Sequence, residues 1–555
     1  MKKQDLIEDW KNKNVIRLIE FGVIVGFLMV AFFLVGFQIT NYNDVTVSDN
    51  SPSIEVYAYS MPNNGWAPLT VYFSPFGSND AVGEIIRYEW DLDGNGSFET
   101  DATSAGGYAS YTYTKPRDYI ISLRVTNDKG ISGLAYTHVQ VRHPASSNVD
   151  YETVFDDSQV RRVEISISQE NWNTMMQEPF EKTQVKADAN IFGERIENIG
   201  ISPKGNSTLS FSGDKKPFKL DMNAYIEEQE YRNLSMLLLH NNFGDASMLR
   251  EKMAYDMMQF AGVAASHTAF VELWINISDD DLPSNFIGVY TMVERPDKKY
   301  LANRFGREND TGNLYKADAW FEEGAADLAY YGEDINDYPM PRGELAYRLM
   351  YKEDGDYADI INLCYTIDGV TYDSSEEFAS ALEEVFNVDS YLRYLAVIFL
   401  NLNFDQYPDT GNNYYLYNNP GTQKFEWVAW DMGNSWGHFG GDATHPIFGT
   451  DHSMGPLEYR PLFTRVFEVE EYRQTYMAYL DLLVRYWFNE ENVGAQARTW
   501  QTMIKQHLSQ GNGDLMYYGP SAQATIEGFD NGVQEIIDLT GERADYVEKI
   551  IALSQ

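Results

Sequence analysis

The sequence predicts an α+β chain with a membrane-spanning helix, then an all-β sandwich, then a large domain in which strands precede helices. Three observations carry this. Residues Phe21 to Phe37 form an uncharged apolar run, FGVIVGFLMVAFFLVGF. From Ile54 to Arg142 short runs alternate apolar and polar residues between turn-rich pieces, the period-two signature of half-buried strands. Beyond Tyr151 strand-like runs up to Asn223 give way to apolar helical repeats toward the C-terminus.

The apolar run, extended by Ile16, Leu18 and Ile39, is long enough for a span, for which roughly 20 residues are usual and about 17 suffice. A cleaved leader has a shorter apolar stretch and a small-x-small site, which Gln38-Ile39-Thr40 does not supply. Lys2, Lys3, Lys11, Lys13 and Arg17 precede the run and no cation follows until Arg87. The expected topology is a cytoplasmic tail (1–17), a single transmembrane helix (18–40), a polar stalk (41–51) and an extracellular body on the cell membrane. The 555 residues are 44% apolar and 14% aromatic, enough for a real core, and carry a net charge of −41. That charge repels nucleic acid and anionic lipid surfaces; it also suits a salty medium, where repulsion is screened. Cys364 is the only cysteine, which excludes an internal disulfide and a cysteine-based zinc site.

Residues 52–142 carry the runs IEVYAYS, LTVYFSP, IIRYEWDLD, YASYTYT, YIISLRVTND and LAYTHVQV. Tyr88-Glu89-Trp90-Asp91-Leu92-Asp93-Gly94-Asn95-Gly96, Tyr111-Thr112-Tyr113 and the run Asp118 to Val125 resemble a PKD domain, an Ig-like surface module, with Trp90 as its core tryptophan. Such a sandwich is expected to fold alone and to be dispensable for the chemistry of the rest. Asp91, Asp93 and Asn95 begin like a calcium loop, but position 12 is Ala102 rather than a bidentate glutamate, so an acidic turn is the expectation rather than a Ca²⁺ site.

After the linker 143–150, residues 160–223 read as strands. Lys204-Gly205-Asn206-Ser207-Thr208 is a donor-rich turn of the kind that faces anions, and Lys219 lies on the next strand. A helix follows, with Asp245 as cap and Gly262 as stop. Strands return at His267–Ile275 and Ile287–Glu294, the second leaving through Glu294-Arg295-Pro296-Asp297. An apolar helix, Asp389 to Leu402, enters a polar loop with Asp405, Asn412 and Asn413, and the strand Phe425 to Trp430 delivers Asp431. A hydroxyl-orienting carboxylate plus a carboxamide and a second carboxylate for a divalent ion are the parts phosphoryl transfer uses. His438, His445 and His452 sit with Asp442 and Asp451 in a glycine-rich loop whose spacing fits no standard zinc pattern, so a loop over the site is expected. Leu462 to Phe488 and Val493 to Leu508 read as closing helices.

The stretches KGNST, KKPFKL, LLHNNFGDASMLREKMAYDMM, GVYTMVERPD, GNLYKAD, FDQYPDTGNNYYLYNNP and FEWVAWDMGNSWG, in this order over about 157–488, resemble the CotH family of spore-coat kinases. The resemblance implies a bilobal protein-kinase-like fold, with an N-terminal lobe over 151–300 and a C-terminal lobe over 301–555. It further implies transfer of the ATP γ-phosphate to serine or threonine with Mg²⁺ or Mn²⁺. Asp405 matches the family's catalytic aspartate. Asn413, with Asn412 as alternate, and Asp431 match its metal ligands. Lys204, Asn206, Ser207, Thr208, Lys219 and Glu294 are the expected nucleotide contacts. Gly433 departs from the family's second acid and puts metal affinity in question. The expected partners are the membrane, through one helix, and a protein substrate on or outside the surface. The other function class is a surface-binding protein that keeps the scaffold without catalysis.

Overall fold

The computed structural model describes residues 54–143, 149–209, 215–277, 284–320, 324–350, 356–448, 460–508 and 526–554. The expected tail, transmembrane helix and stalk lie outside these. Among the described residues no helix is long and apolar enough to cross a membrane.

The sandwich packs two sheets. One holds β1 (Tyr59–Met61), β3 (Leu69–Ser74) and β6 (Ala109–Tyr113). The other runs in the order β2 (Asn64–Trp66), β8 (Ser132–Arg142), β7 (Arg117–Asn127), β4 (Ile85–Asp91), β5 (Thr100–Asp101). Alternation delivers Ile121, Leu123 and Val125 to the core beside Trp90, whose indole N–H donates to the Gly107 carbonyl at 2.7 Å. In the acidic turn Asp91 accepts the N–H groups of Gly94, Asn95 and Gly96. Glu99, which the loop template had not counted, brings a third carboxylate within 4.8 Å of those of Asp91 and Asp93.

The N-terminal lobe is a closed barrel, a feature the period-two runs do not reveal. Its order is β9 (Arg161–Ile167), β10 (Val185–Ile191), β11 (Glu194–Pro203), β12 (Phe218–Asp221), β13 (Met236–His240), β15 (Asn285–Val293), β14 (Thr268–Ile277). Closure is by parallel pairing of β14 with β9. Val163, Ile201, Phe218, Leu220, Leu239 and Met292 fill the interior, and α1 (Gln169–Gln177) lays Trp172 and Met175 against the same core.

Helix α2 (Arg250–Ala261) stops at left-handed Gly262, as expected. It begins later than Asp245, which instead accepts the Arg250 N–H and its guanidinium from the preceding loop. Its apolar face joins a core that runs through the C-terminal lobe and takes in Leu238, Phe270 and Val289 from the barrel's outer face. That lobe contains α3 (Lys298–Phe305) and the sheet β17 (Tyr347–Leu349), β16 (Leu314–Ala317), β18 (Tyr414–Asn419), β19 (Lys424–Ala429). Its longer helices include α4 (Val388–Leu400), α5 (Glu470–Tyr486), α6 (Glu490–Leu508) and α7 (Ile526–Ser554).

The sandwich, which has its own core, also docks on the large domain. Met61 and Phe76 are buried in the core of the large domain, and Tyr72 stacks on Tyr486 with ring centres 4.3 Å apart. Asn63 donates to Asp389 and Asn64 to the Gly262 carbonyl, each at 2.8 Å. Apolar surface on both partners depends on this docking, so excising the sandwich exposes core.

Candidate functional site

The site forms where the barrel's outer face meets the C-terminal sheet. Strand register explains its upper side. Ser202 on β11, Lys219 on β12 and Leu238 on β13 are cross-strand neighbours, and Leu238 belongs to the core shared with the C-terminal lobe. Side chains two positions along share that face, so Lys204 and His240 lie on it as well. The His240 ring meets the Lys204 ammonium through Nε2 and the Glu251 carboxylate, on the first turn of α2, through Nδ1 at 2.6 Å.

The lower side comes from two loops. Asp405 and Asn413 follow α4, and Asp431 follows β19. Asn413 and Asp431 both have left-handed backbones, φ 61° and 53°, an uncommon state for residues other than glycine and one that collects at functional sites. Hydrogen bonds bind the loops together. Asn413 Nδ2 donates to the Asp405 carbonyl at 2.7 Å and Asn434 Nδ2 to the Asp405 carboxylate at 2.8 Å. Gln406 Nε2 donates to the Asp431 carbonyl at 3.2 Å, and the Asp431 N–H donates to the Tyr255 hydroxyl of α2 at 3.0 Å.

The electrostatics are unbalanced. Burial and the charge of Asp431 push the Asp405 carboxyl up to about 7, against hydrogen bonds from Asn434, Asn413 and Thr410. Burial lowers Lys204, offset in part by Asp431 and Glu251. Burial, Arg348 and Lys204 push Lys316 on β16 down to about 8, while Asp318 and Asp431 pull the other way. Lys204 and Lys316 thus both feel the charge of Asp431. His240, Glu251 and Asp431 each offer a ligand atom within 4.8 Å of the others.

Asp405, Asn413, Asp431 and Lys204 therefore come together. Lys219 shares the barrel face, but its charged neighbours are Asp221, 4.0 Å away, and Arg295, so the lysine tied to the helix glutamate is Lys204. Asn206 accepts from Lys182 at 2.9 Å. Ser207 begins a short 3₁₀ turn, and the buried Thr208 hydroxyl has no partner among the described residues. Glu294 is placed elsewhere. Its carboxylate takes the Arg304 guanidinium at 2.6 Å, the His267 backbone N–H at 3.0 Å and ring Nδ1 at 2.9 Å, and the Tyr151 hydroxyl at 2.6 Å, leaving only the backbone of that exit for a ligand. Asn412 is half-buried beside Asn413. His438 neighbours Asp245 and Arg250 and His445 packs on Phe404, so these two do not converge; His452 and Asp451 lie outside the described residues.

Sequence reading missed His240, Glu251, Lys316 and Asn434. His240 and Glu251 fall within the quoted stretch LLHNNFGDASMLREKMAYDMM, Lys316 within GNLYKAD and Asn434 within FEWVAWDMGNSWG. The stretches held the signal, but their roles emerge only when three elements meet.

Comparison with known proteins agrees with this division. Residues 201–547 match the family described as CotH kinase protein, and residues 52–141 match the PKD domain. The chain is 23% identical over 358 residues to inner spore coat protein H of Bacillus subtilis (strain 168), covering 64% of this chain and 88% of that one. Among solved structures, the PKD1 domain of the Vibrio cholerae metalloprotease PrtV is 29% identical over 16% of this chain and 99% of that one, with a TM-score of 0.13. The Shewanella oneidensis MR-1 HipA–HipB–operator complex aligns with 76% of this chain and 78% of that one at 11% identity and a TM-score of 0.26. With a family match spanning well over half its length, the chain belongs to the CotH kinase protein family and carries a PKD domain ahead of the kinase homology region.

Proposed function

We propose that this protein is an ATP- and Mg²⁺-dependent protein kinase that phosphorylates serine or threonine of exported or surface proteins, held at the membrane by its N-terminal apolar segment. The observation that carries the reading is the pairing of Asp405 and Asp431 across a loop closed by Asn413 and Asn434, opposite a lysine linked to a helix glutamate. Asp431 and the amide oxygen of Asn413 are the oxygen donors a hard cation takes, and Mn²⁺ suits the same set. The Thr208 hydroxyl, without a partner among the described residues, and the lysines Lys204 and Lys316 fit a phosphate group. Bound Mg-ATP would supply the transferable phosphoryl group and neutralise charge around it. Asp405, kept protonatable near neutral pH, would orient the acceptor hydroxyl and take its proton. The spore-coat relative supports a surface location.

The test is transfer of labelled γ-phosphate by the full chain, with calorimetry of ATP binding. Asp405→Ala is expected to lose transfer and keep nucleotide binding. Asp431→Ala is expected to lose the metal-dependent gain in ATP affinity. A surface-binding protein without catalysis is the second reading, favoured by Gly433 in place of the family's acid. It takes over if both variants bind Mg-ATP as the parent does and no transfer occurs.

A further inference from the structure

We infer that His240 is a positioning residue that bridges Lys204 to Glu251, so that the lysine–glutamate pair of this kinase fold is made through an imidazole rather than directly. This rests on the nucleotide site proposed above. In protein kinases a strand lysine pairs with a helix glutamate and reaches the phosphates. Here Lys204, just past β11, meets His240 Nε2, and His240 Nδ1 meets Glu251 on α2 at 2.6 Å. His240 and Glu251 are 6% and 5% exposed, so neither can exchange its partner for bulk water.

With Lys204 protonated, the two ends set the proton placement. A lysine ammonium has no lone pair and only donates, so Nε2 accepts. The imidazole then carries its hydrogen on Nδ1 and donates to the carboxylate, which has only acceptors. The two ring nitrogens thus connect Lys204 to Glu251. The edge of the same ring lies against Trp430, centres 5.9 Å apart, and the Lys204 ammonium lies 5.8 Å over that indole. Trp430 directly precedes Asp431, so the bridge is packed on the side chain next to the proposed metal aspartate. Register adds rigidity: His240 ends β13 paired with Thr291 of β15. An aliphatic residue at 240 would leave Lys204 and Glu251 without their buried partner, and the ammonium would swing away from the phosphate path.

The experiment uses the full chain with His240→Leu and His240→Gln, the latter keeping one acceptor and one donor in a single group. In nucleotide-free protein, acylation of Lys204 by an amine-reactive ester, read by mass spectrometry, is expected to accelerate severalfold in His240→Leu and less in His240→Gln. An unchanged rate overturns the bridge whether or not ATP binds. Calorimetry of Mg-ATP follows in a double-mutant cycle with Lys204→Ala. His240→Leu is expected to weaken binding about tenfold or more on the parent background and to add almost nothing once Lys204 is gone. Equal losses on both backgrounds mean that His240 only packs, which also overturns the inference. If the parent fails to bind Mg-ATP while acylation responds as expected, the bridge stands and the nucleotide reading falls.

Discussion

Two clusters of buried charge in the large domain follow opposite rules. Around Glu294 each charge is answered. Burial alone would raise this carboxyl, but Arg304 and His267 more than offset it and hold it near 2, with Tyr151 and a backbone N–H completing its hydrogen bonds. Trp66 of the sandwich roofs the knot, stacked on His267 at 5.3 Å with the Arg304 guanidinium 5.5 Å from the centre of the same ring. Around Asp405 charges are left unsettled: a carboxyl near 7 beside a second carboxylate, and a lysine near 8 beside other cations. A saturated ion cluster fixes structure. An unsaturated one is costly on its own and gains from a ligand of complementary charge, which is why perturbed groups gather at functional sites.

Three experiments sharpen that contrast. The largest effect is expected at the knot. Glu294→Ala strands Arg304 in a buried setting and should destabilise by about 3–5 kcal/mol, read as a lowered denaturant midpoint. A neutral outcome would mean the knot is not saturated. The parent's contribution from Glu294 should be present above about 4.5 and fade as the pH falls toward 2, since its folded pKa lies below the ordinary value.

Asp405 should behave with the reverse sign. Its carboxyl keeps its proton in the fold up to about 7, against an ordinary 3.8, so the folded state holds a proton the unfolded chain has lost. Stability then declines as pH rises through that window. Asp405→Asn should therefore raise stability at pH 8 by about 1–3 kcal/mol and change little below pH 4. Thermal melts at the two pH values decide it; equal effects at both would refute the charge account. The smallest change is at Gly433, where an added Cβ meets nothing within 4 Å. Gly433→Asp restores the family's acid into open space. Another carboxylate near a cation in a wet cleft is worth about 1 kcal/mol, so the Mg²⁺ concentration for half-maximal ATP binding should drop about fivefold. No shift would mean that the position faces away from the ion.

These experiments also separate what the sequence makes legible from what it hides. Alternation along Tyr119 to Val125 is enough to find β7, and the apolar helix ahead of Asp405 matches α4 within two residues, because both signals are local. Asp405, Asn413 and Asp431 sit on short loops after regular elements, where sequence order predicts neighbourhood. Barrel closure is different. It depends on Arg161 to Ile167 lying parallel to Val271 to Ile277, a pairing of residues over 100 positions apart. Glu294 shows the same limit. A charged residue at a strand exit looks available, yet its partners come from Tyr151, His267 and Arg304 on three separate segments. The hinge after Arg142 likewise suggests a free module, and the docking shows only in the structure, where Met61 and Phe76 sit in a foreign core.

That docking has a thermodynamic consequence through α2. One end of the helix carries Glu251 and, a turn later, Tyr255, which takes the Asp431 N–H. The carbonyls at its other end are taken by Asn64 of the sandwich and Arg393 of α4. Twelve residues of helix are about 18 Å of stiff rod, so the module and the Asp431 loop grip one body from two ends. Linkage is then symmetric. To whatever factor release of the sandwich weakens Mg-ATP, bound Mg-ATP must strengthen the sandwich's hold by the same factor, and protease cutting near residue 143 with and without nucleotide reads both from a single preparation.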